Sequence, residues 1–197
     1  MAERTLIIAY AGTGKSYLQK YYSNVVDHNF IDYRFTYDES VRHLPVAELG
    51  RRGENDKLRT LNPEWPSNFI KVALVELDKG NIVMSSFVPA VYEALNSNEF
   101  KENAGNTRIF LVCPKFDCWD EYEARFRARN SDDAFVDRKK AEFPILMALF
   151  QKAKGFEKIT MKQGQFLSEV LIKHGIKLNK KQKINLQKTS IHSTILC

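Results

Sequence analysis

An α/β fold, with a parallel sheet covered on both faces, is what this 197-residue sequence predicts. Two observations lead there. Five short apolar runs alternate with segments of helical periodicity, the pattern of strand–helix–strand units. The first run also passes through a glycine turn directly into a helix opening. In sheets of this kind ligands bind beyond the strand C-termini. The groups to inspect are therefore Gly12 to Ser16, Asp27, Ser85 and Ser86, Lys115, and Lys162 to Gly164.

The elements follow in order. Thr5-Leu6-Ile7-Ile8-Ala9 is an uninterrupted apolar run, the mark of a buried strand, and a helix opens at Lys15. Asn24 to Asp27 is a second strand, ending in a carboxylate. Residues 28–62 are polar and irregular and read as a mobile insertion, with a short helix expected between Tyr37 and Leu49. Pro63-Glu64-Trp65-Pro66 starts a helix with a wide apolar face, and Lys79-Gly80-Asn81 ends it. Ile82 to Phe87 is the third strand, and Pro89 opens a helix that ends near Asn96. Arg108 to Cys113 is the fourth strand, stopped by Pro114.

The helix starting at Asp117 carries Trp119, Tyr122 and Phe126 on one face, with Arg125 and Arg129 together on another. Asn130 to Asp133 breaks it or caps the next helix, Ala134 to Lys154, within which Pro144 implies a break or restart. Glu157 to Met161 is the fifth strand, and Phe166 to His174 is a helix stopped by Gly175.

Residues Ala9-Tyr10-Ala11-Gly12-Thr13-Gly14-Lys15-Ser16 match the phosphate-binding loop G-x-x-x-x-G-K-[ST], with Ala in place of the first Gly. Strand, glycine turn and helix N-terminus is the setting this motif needs. Gly12 and Gly14 let successive backbone N–H groups turn inward, and the helix N-terminus adds partial positive charge. Ala11, Gly12, Thr13, Gly14, Lys15, Ser16 and Tyr17 are the candidate nucleotide-binding residues. Lys15 reaches the β- and γ-phosphates of ATP, and the Ser16 hydroxyl is the candidate Mg²⁺ ligand.

Composition narrows the class. Hydrophobic residues make up 44% and charged residues 27%, the balance of a globular domain. No apolar run reaches the length of a membrane span, and the expectation is a chain with no signal peptide before its first strand. Cys113, Cys118 and Cys197 form no paired framework, which points to a reducing, cytoplasmic compartment, and no zinc spacing surrounds them. From Lys173 onward there are six Lys and no acid, so this end carries the whole net charge of +6. The predicted organisation is a body of residues 1–178, with a lid-like region at 115–140, and a basic tail of residues 179–197. The tail is a possible route to nucleic acid, but it lacks aromatic residues for base stacking, so a solvated terminus is favoured.

On the phosphate loop and the order of the other elements, the chain resembles the nucleoside and nucleotide kinase branch of P-loop proteins. It resembles more loosely the shikimate-kinase-like small-molecule kinases. It is similar also to poorly characterised kinase-like proteins, many from phages and bacteria. In these a strand ends in Ser-Ser and a later one is followed by Tyr-x-x-Arg-x-x-x-Arg, echoed here by Ser85-Ser86 and by Tyr122 to Arg129. The resemblance covers about residues 4–174. It implies a three-layer P-loop fold with a five-stranded parallel sheet, ATP and Mg²⁺ as cofactors, and γ-phosphate transfer to a nucleoside or nucleoside monophosphate. Residues 28–62 would then be the acceptor-side insertion.

Asp27 is the candidate to orient or deprotonate an acceptor hydroxyl, and the resemblance implies the same role. Arg125 and Arg129 match the lid arginines of such kinases, which gives the catalytic set Lys15, Asp27, Arg125 and Arg129. A second reading of Arg125 is open: Glu121 sits four residues before it and can simply pair with it. Arg138, Lys139 and Lys140 are further lid candidates, and Lys162-Gln163-Gly164 stands where related kinases cradle adenine. One departure matters. Where many P-loop enzymes carry a carboxylate after the third strand, this chain has Ser85-Ser86. A non-catalytic nucleotide-binding protein therefore stands as an alternative, and a polynucleotide end kinase, its basic tail guiding the strand, is another. A GTPase-type switch is disfavoured, because Pro114-Lys115-Phe116-Asp117 lacks Asn or Thr before the lysine.

Overall fold

A computed structural model describes residues 4–45, 48 and 58–182 of the chain. Strand β1 is Thr5–Ala9, followed by helix α1, Lys15–Tyr21, and strand β2, Val25–Asp27. A short helix α2, Ile31–Arg34, runs into strand β3, Phe35–Tyr37, which pairs antiparallel with β4, Arg59–Leu61. Helix α3, Ser67–Asp78, strand β5, Ile82–Ser86, and helices α4, Pro89–Asn96, and α5, Asn98–Asn103, come next. Strand β6 is Arg108–Pro114, then a 3₁₀ turn at Phe116–Cys118 leads into α6, Trp119–Ala128. Helix α7, Asp133–Lys152, strand β7, Glu157–Met161, and helix α8, Leu167–Lys173, complete the described elements.

The main sheet has five strands in the order β2-β5-β1-β6-β7, all parallel. Counted along the chain, these five strands stand in the order 2-3-1-4-5. The first strand is thus central, and its C-terminal end opens between two neighbours that diverge in topology. All five residues of β1 are buried, as an uninterrupted apolar run requires.

Alternation along the strands divides the core into two layers. Leu6 and Ile8 of β1, Val83 of β5 and Leu111 and Cys113 of β6 face one layer, with apolar residues of α3 to α7 packed on it. Ile7 and Ala9, Met84, and Phe110 and Val112 face the other, against Leu18 of α1 and Leu167, Val170 and Leu171 of α8. This is a three-layer arrangement in which a one-residue slip of any central strand would exchange its two faces.

Three expectations are corrected. Pro144 does not break its helix: α7 runs unbroken through it for 20 residues. Phe143, Leu146, Met147 and Phe150 are buried on both sides of the proline, so packing holds the axis continuous. Pro144 and Lys140 are exposed, so the Lys140 carbonyl that loses its donor can be solvated. Helix α5 was not expected; its signal was the N-cap Ser97, whose Oγ accepts from Phe100 N at 3.2 Å. The insertion is less irregular than its composition implies, holding α2 and the β3–β4 ribbon. Between Tyr37 and Leu49, where a short helix was expected, residues 39–44 form turns and bends, Glu48 is helical, and positions 46, 47 and 49 lie outside the described residues.

The body also continues past His174. Ile176 is buried and Leu178 packs on the second layer. Ser23 N donates to Asn179 O at 2.8 Å, Asn179 N to Asn24 Oδ1 at 2.8 Å, and Lys181 N to Tyr21 O at 2.8 Å. The start of the tail is therefore tied to the end of α1. Deleting residues from Asn179 onward is expected to cost about 1–3 kcal/mol, from the lost hydrogen bonds. Urea unfolding of the truncated and full chains measures this, and an unchanged midpoint would show that these bonds add nothing.

Candidate functional site

The loop between β1 and α1 is built as its sequence requires. Gly12 has φ +78° and Gly14 φ +109°, both in the region that favours glycine. Between them Thr13 is fully buried, and its Oγ1 donates to Tyr10 O at 2.9 Å, closing the turn. Lys15 is 8% exposed and curls back into the loop, its Nζ donating to Ala9 O at 3.0 Å and Tyr10 O at 3.3 Å. Burial lowers the Lys15 pKa to about 8, Asp27 partly opposes this, and the positive charges of Arg129 and Lys139 reinforce it.

Those influences show what the fold gathers. Asp27 ends β2, two strands from β1, yet its carboxylate lies within electrostatic reach of Lys15. Burial raises the Asp27 pKa, against the opposing pull of Lys15 and His28. Its backbone N–H donates to Gln19 Oε1 of α1 at 2.8 Å, which fixes the strand end against the helix that carries the loop. Arg129 stacks over Phe126 and Phe135 at 4.9 and 5.8 Å, and Lys139 pairs with Glu142 at 2.6 Å. Lys15, Arg129 and Lys139 thus converge from three elements, a concentration of positive charge suited to a polyphosphate.

Arg125 is placed differently. Its guanidinium pairs with Glu121 and donates to Gly12 O at 3.1 Å and Gln165 O at 2.8 Å. It also lies over the rings of Tyr122 and Phe166, at 4.9 and 4.4 Å. Glu121 Oε2 in turn accepts from Gly164 N at 2.9 Å. The Lys162 to Gly164 segment therefore sits beside the phosphate loop, and Leu167 N donates to Thr13 O at 3.0 Å as a further tie.

Ser85 is fully buried, and its Oγ donates to His28 O at 2.9 Å, so this hydroxyl is committed to holding β2 on β5. Ser86 pairs opposite Ala9 beside the loop. Ser16 and Tyr17 are exposed on the first turn of α1, and Ala11 is half-buried on the loop.

The loop fits ATP·Mg²⁺ by its chemistry. It offers turned-in N–H groups, a buried lysine, two further cations and an exposed hydroxyl at Ser16. The glycines are needed for different reasons. A Cβ on Gly12 would stand 3.0 Å from Phe126 and 3.3 Å from Tyr122, so Gly12 lets α6 pack directly on the loop. Gly12→Ala combines that clash with a positive φ and is expected to cost about 1–3 kcal/mol. Thermal unfolding measures it, and an unchanged midpoint would mean that α6 yields without cost.

The Glu121–Arg125 pair was one of the two readings the sequence left open and it forms, whereas the bond from Gly164 N to Glu121, Gln165, Gln19 and Lys139's proximity to Lys15 were missed. Glu121 alone had a signal, its spacing of four from Arg125, and that spacing says nothing of Gly164. The others act across the fold through backbone or long-range contacts that leave no local pattern.

No protein-family model matches the sequence, and none of the curated proteins does. Among solved structures, the tunicamycin resistance protein of Deinococcus radiodurans aligns with 90% of this chain and 98% of its own, at 12% identity and a TM-score of 0.51. A gluconokinase from Sinorhizobium meliloti 1021 aligns over 87% of this chain and 88% of its own, at 12% identity and a TM-score of 0.44. At such identity the likeness is one of fold. With a phosphate-loop sequence between β1 and α1 of a parallel five-stranded sheet, the chain has a three-layer α/β P-loop fold, shared with the tunicamycin resistance protein.

Proposed function

We propose that this chain is an ATP-dependent phosphotransferase that moves the γ-phosphate to a small acceptor, a nucleoside or nucleoside monophosphate being the leading class. The observation that carries the reading is the grouping of Lys15, Asp27, Arg129 and Lys139 at the C-terminal edge of the sheet. Bound ATP·Mg²⁺ supplies the phosphoryl group and a divalent charge on its oxygens. Lys15 and the N–H groups of Gly12 to Ser16 hold the phosphates, and the Ser16 hydroxyl takes a place on the metal. Arg129 and Lys139 offset charge on the transferring group. Asp27, with its pKa raised by burial, accepts the proton of an acceptor hydroxyl or orients it. The acceptor class rests on the resemblance of the sequence to nucleoside and nucleotide kinases. Turnover against a panel of nucleosides, nucleoside monophosphates and sugar acids tests it, beside calorimetric ATP affinity.

One observation favours a second reading, a nucleotide-binding protein without turnover. Strand β5 ends in serines, and the Ser85 hydroxyl is spent on His28 O. The end of β5 then carries no carboxylate of the kind that commonly anchors the metal's waters. Tight ATP binding with no transfer to any acceptor would favour this reading over the first.

A further inference from the structure

We propose that Glu121 and Arg125 are a positioning pair that locks the phosphate loop to the 162–166 loop, so that phosphate site and base site form one unit. The proposal rests on the nucleotide-binding reading above and assigns Arg125 a role other than contact with phosphate. The guanidinium bridges two backbone carbonyls from different loops, Gly12 O at 3.1 Å and Gln165 O at 2.8 Å. Both sides of the bridge are closed, by Tyr122 of its own helix and by Phe166 of the second loop. Glu121 completes the joint by pairing with Arg125 and accepting Gly164 N at 2.9 Å. The two side chains are only 15% and 18% exposed, so the joint works where water competes poorly.

What the joint would position is adjacent. Beyond the ends of β6 and β7 lies a hollow lined by Lys115, Asp117, Cys118, Lys162 and Gln163. Sheets of this class bind ligand groups at such strand ends. The hollow belongs in part to the second loop, whereas the phosphates belong to the first. A nucleotide spanning both gains from a fixed separation, because no ordering cost remains to be met on binding. Arg129, one turn further along, has no carboxylate partner among the described residues and is left for the ligand.

Two measurements test the pair. The first is amide hydrogen exchange in the ligand-free protein. Arg125→Ala should speed exchange at Thr13 and Gly14 and at Gly164 to Phe166 together, by about tenfold or more, with β1, β5 and β6 unchanged. Glu121→Gln, which keeps an acceptor for Gly164 N, is the milder variant should Arg125→Ala fail to fold. The second is affinity for ATP against inorganic tripolyphosphate, both with Mg²⁺. Arg125→Ala should lower the ratio of the two affinities by about tenfold, because only ATP uses both loops. Arg125→Lys should not restore it, since a lysine lacks the planar fork that spans Gly12 O and Gln165 O while also pairing with Glu121. Equal loss for both ligands, rescued by lysine, would make Arg125 a phosphate contact and overturn the proposal. So would unchanged exchange in either loop. If the wild-type chain binds neither ligand, the nucleotide reading fails by itself, and exchange alone decides whether the loops are joined.

Discussion

Lys15→Ala is expected to abolish ATP·Mg²⁺ binding, and with it the proposed turnover, while leaving the fold intact. The ammonium is the one buried cation of the loop and already sits on Ala9 O and Tyr10 O, where no packing depends on its charge. Calorimetry with wild type and variant, alongside thermal unfolding, checks both halves; undiminished ATP affinity in the variant would remove the phosphate-loop assignment. A pH dependence follows from the same residue. Its folded pKa is about 8 against an ordinary value of 10.5, so between these limits the unfolded chain binds more protons than the folded one. Stability of the ligand-free protein therefore gains from Lys15 as pH rises through that window. Nucleotide binding runs the other way. A polyphosphate needs the charged ammonium, so affinity falls above pH 8, by about tenfold per unit until the bound-state pKa is reached. Proton uptake on binding at pH 9, read in buffers of different ionisation enthalpy, checks the sign.

Asp27→Asn is expected to cut phosphoryl transfer by about a hundredfold or more, the usual loss for a general base, with little change in ATP affinity. The asymmetry follows from position. Asp27 ends the edge strand of the sheet with its backbone held by Gln19, and among the described residues it acts on Lys15 through its charge rather than through a hydrogen bond to the phosphate loop. Removing its charge also removes an attraction that favours the charged lysine, so the Lys15 pKa should fall further in the variant and ATP affinity should drop slightly with it, by far less than turnover. Steady-state turnover with the best acceptor, and ATP affinity for both proteins at pH 7, measure the split. Wild-type turnover in the variant would take Asp27 out of the mechanism and favour the non-catalytic reading. Arg129→Ala should resemble Asp27→Asn in lowering turnover, because its charge faces the loop with no carboxylate to neutralise it among the described residues.

Local pattern carried most of the fold. The five sheet strands, the glycine loop and the helices from Ser67, Pro89 and Trp119 lie where periodicity and punctuation put them. It failed where tertiary packing overrides a local preference. Pro144 argues for a break on its own, yet Phe143 and Met147 are buried in the core and hold α7 continuous through it. It failed also where the signal is one capping contact, as at Ser97.

By itself the sequence determined the phosphate loop, because that site is made of consecutive residues whose backbone angles and side chains are all encoded locally. It also put Asp27 at the same edge of the sheet as the loop, since strand alternation with helices sends every parallel strand end to one side, whereas the arginines were placed there only by the resemblance. Which cations face the loop was decided only in three dimensions. Arg125 and Arg129 are one helical turn apart and equivalent as sequence, but α6 packs on Gly12 so closely that Arg125 meets two loop carbonyls while Arg129 extends past them. A spacing of four puts both on one helix face; only the approach of that face to the loop, which Gly12 permits by having no side chain, separates the strut from the free charge.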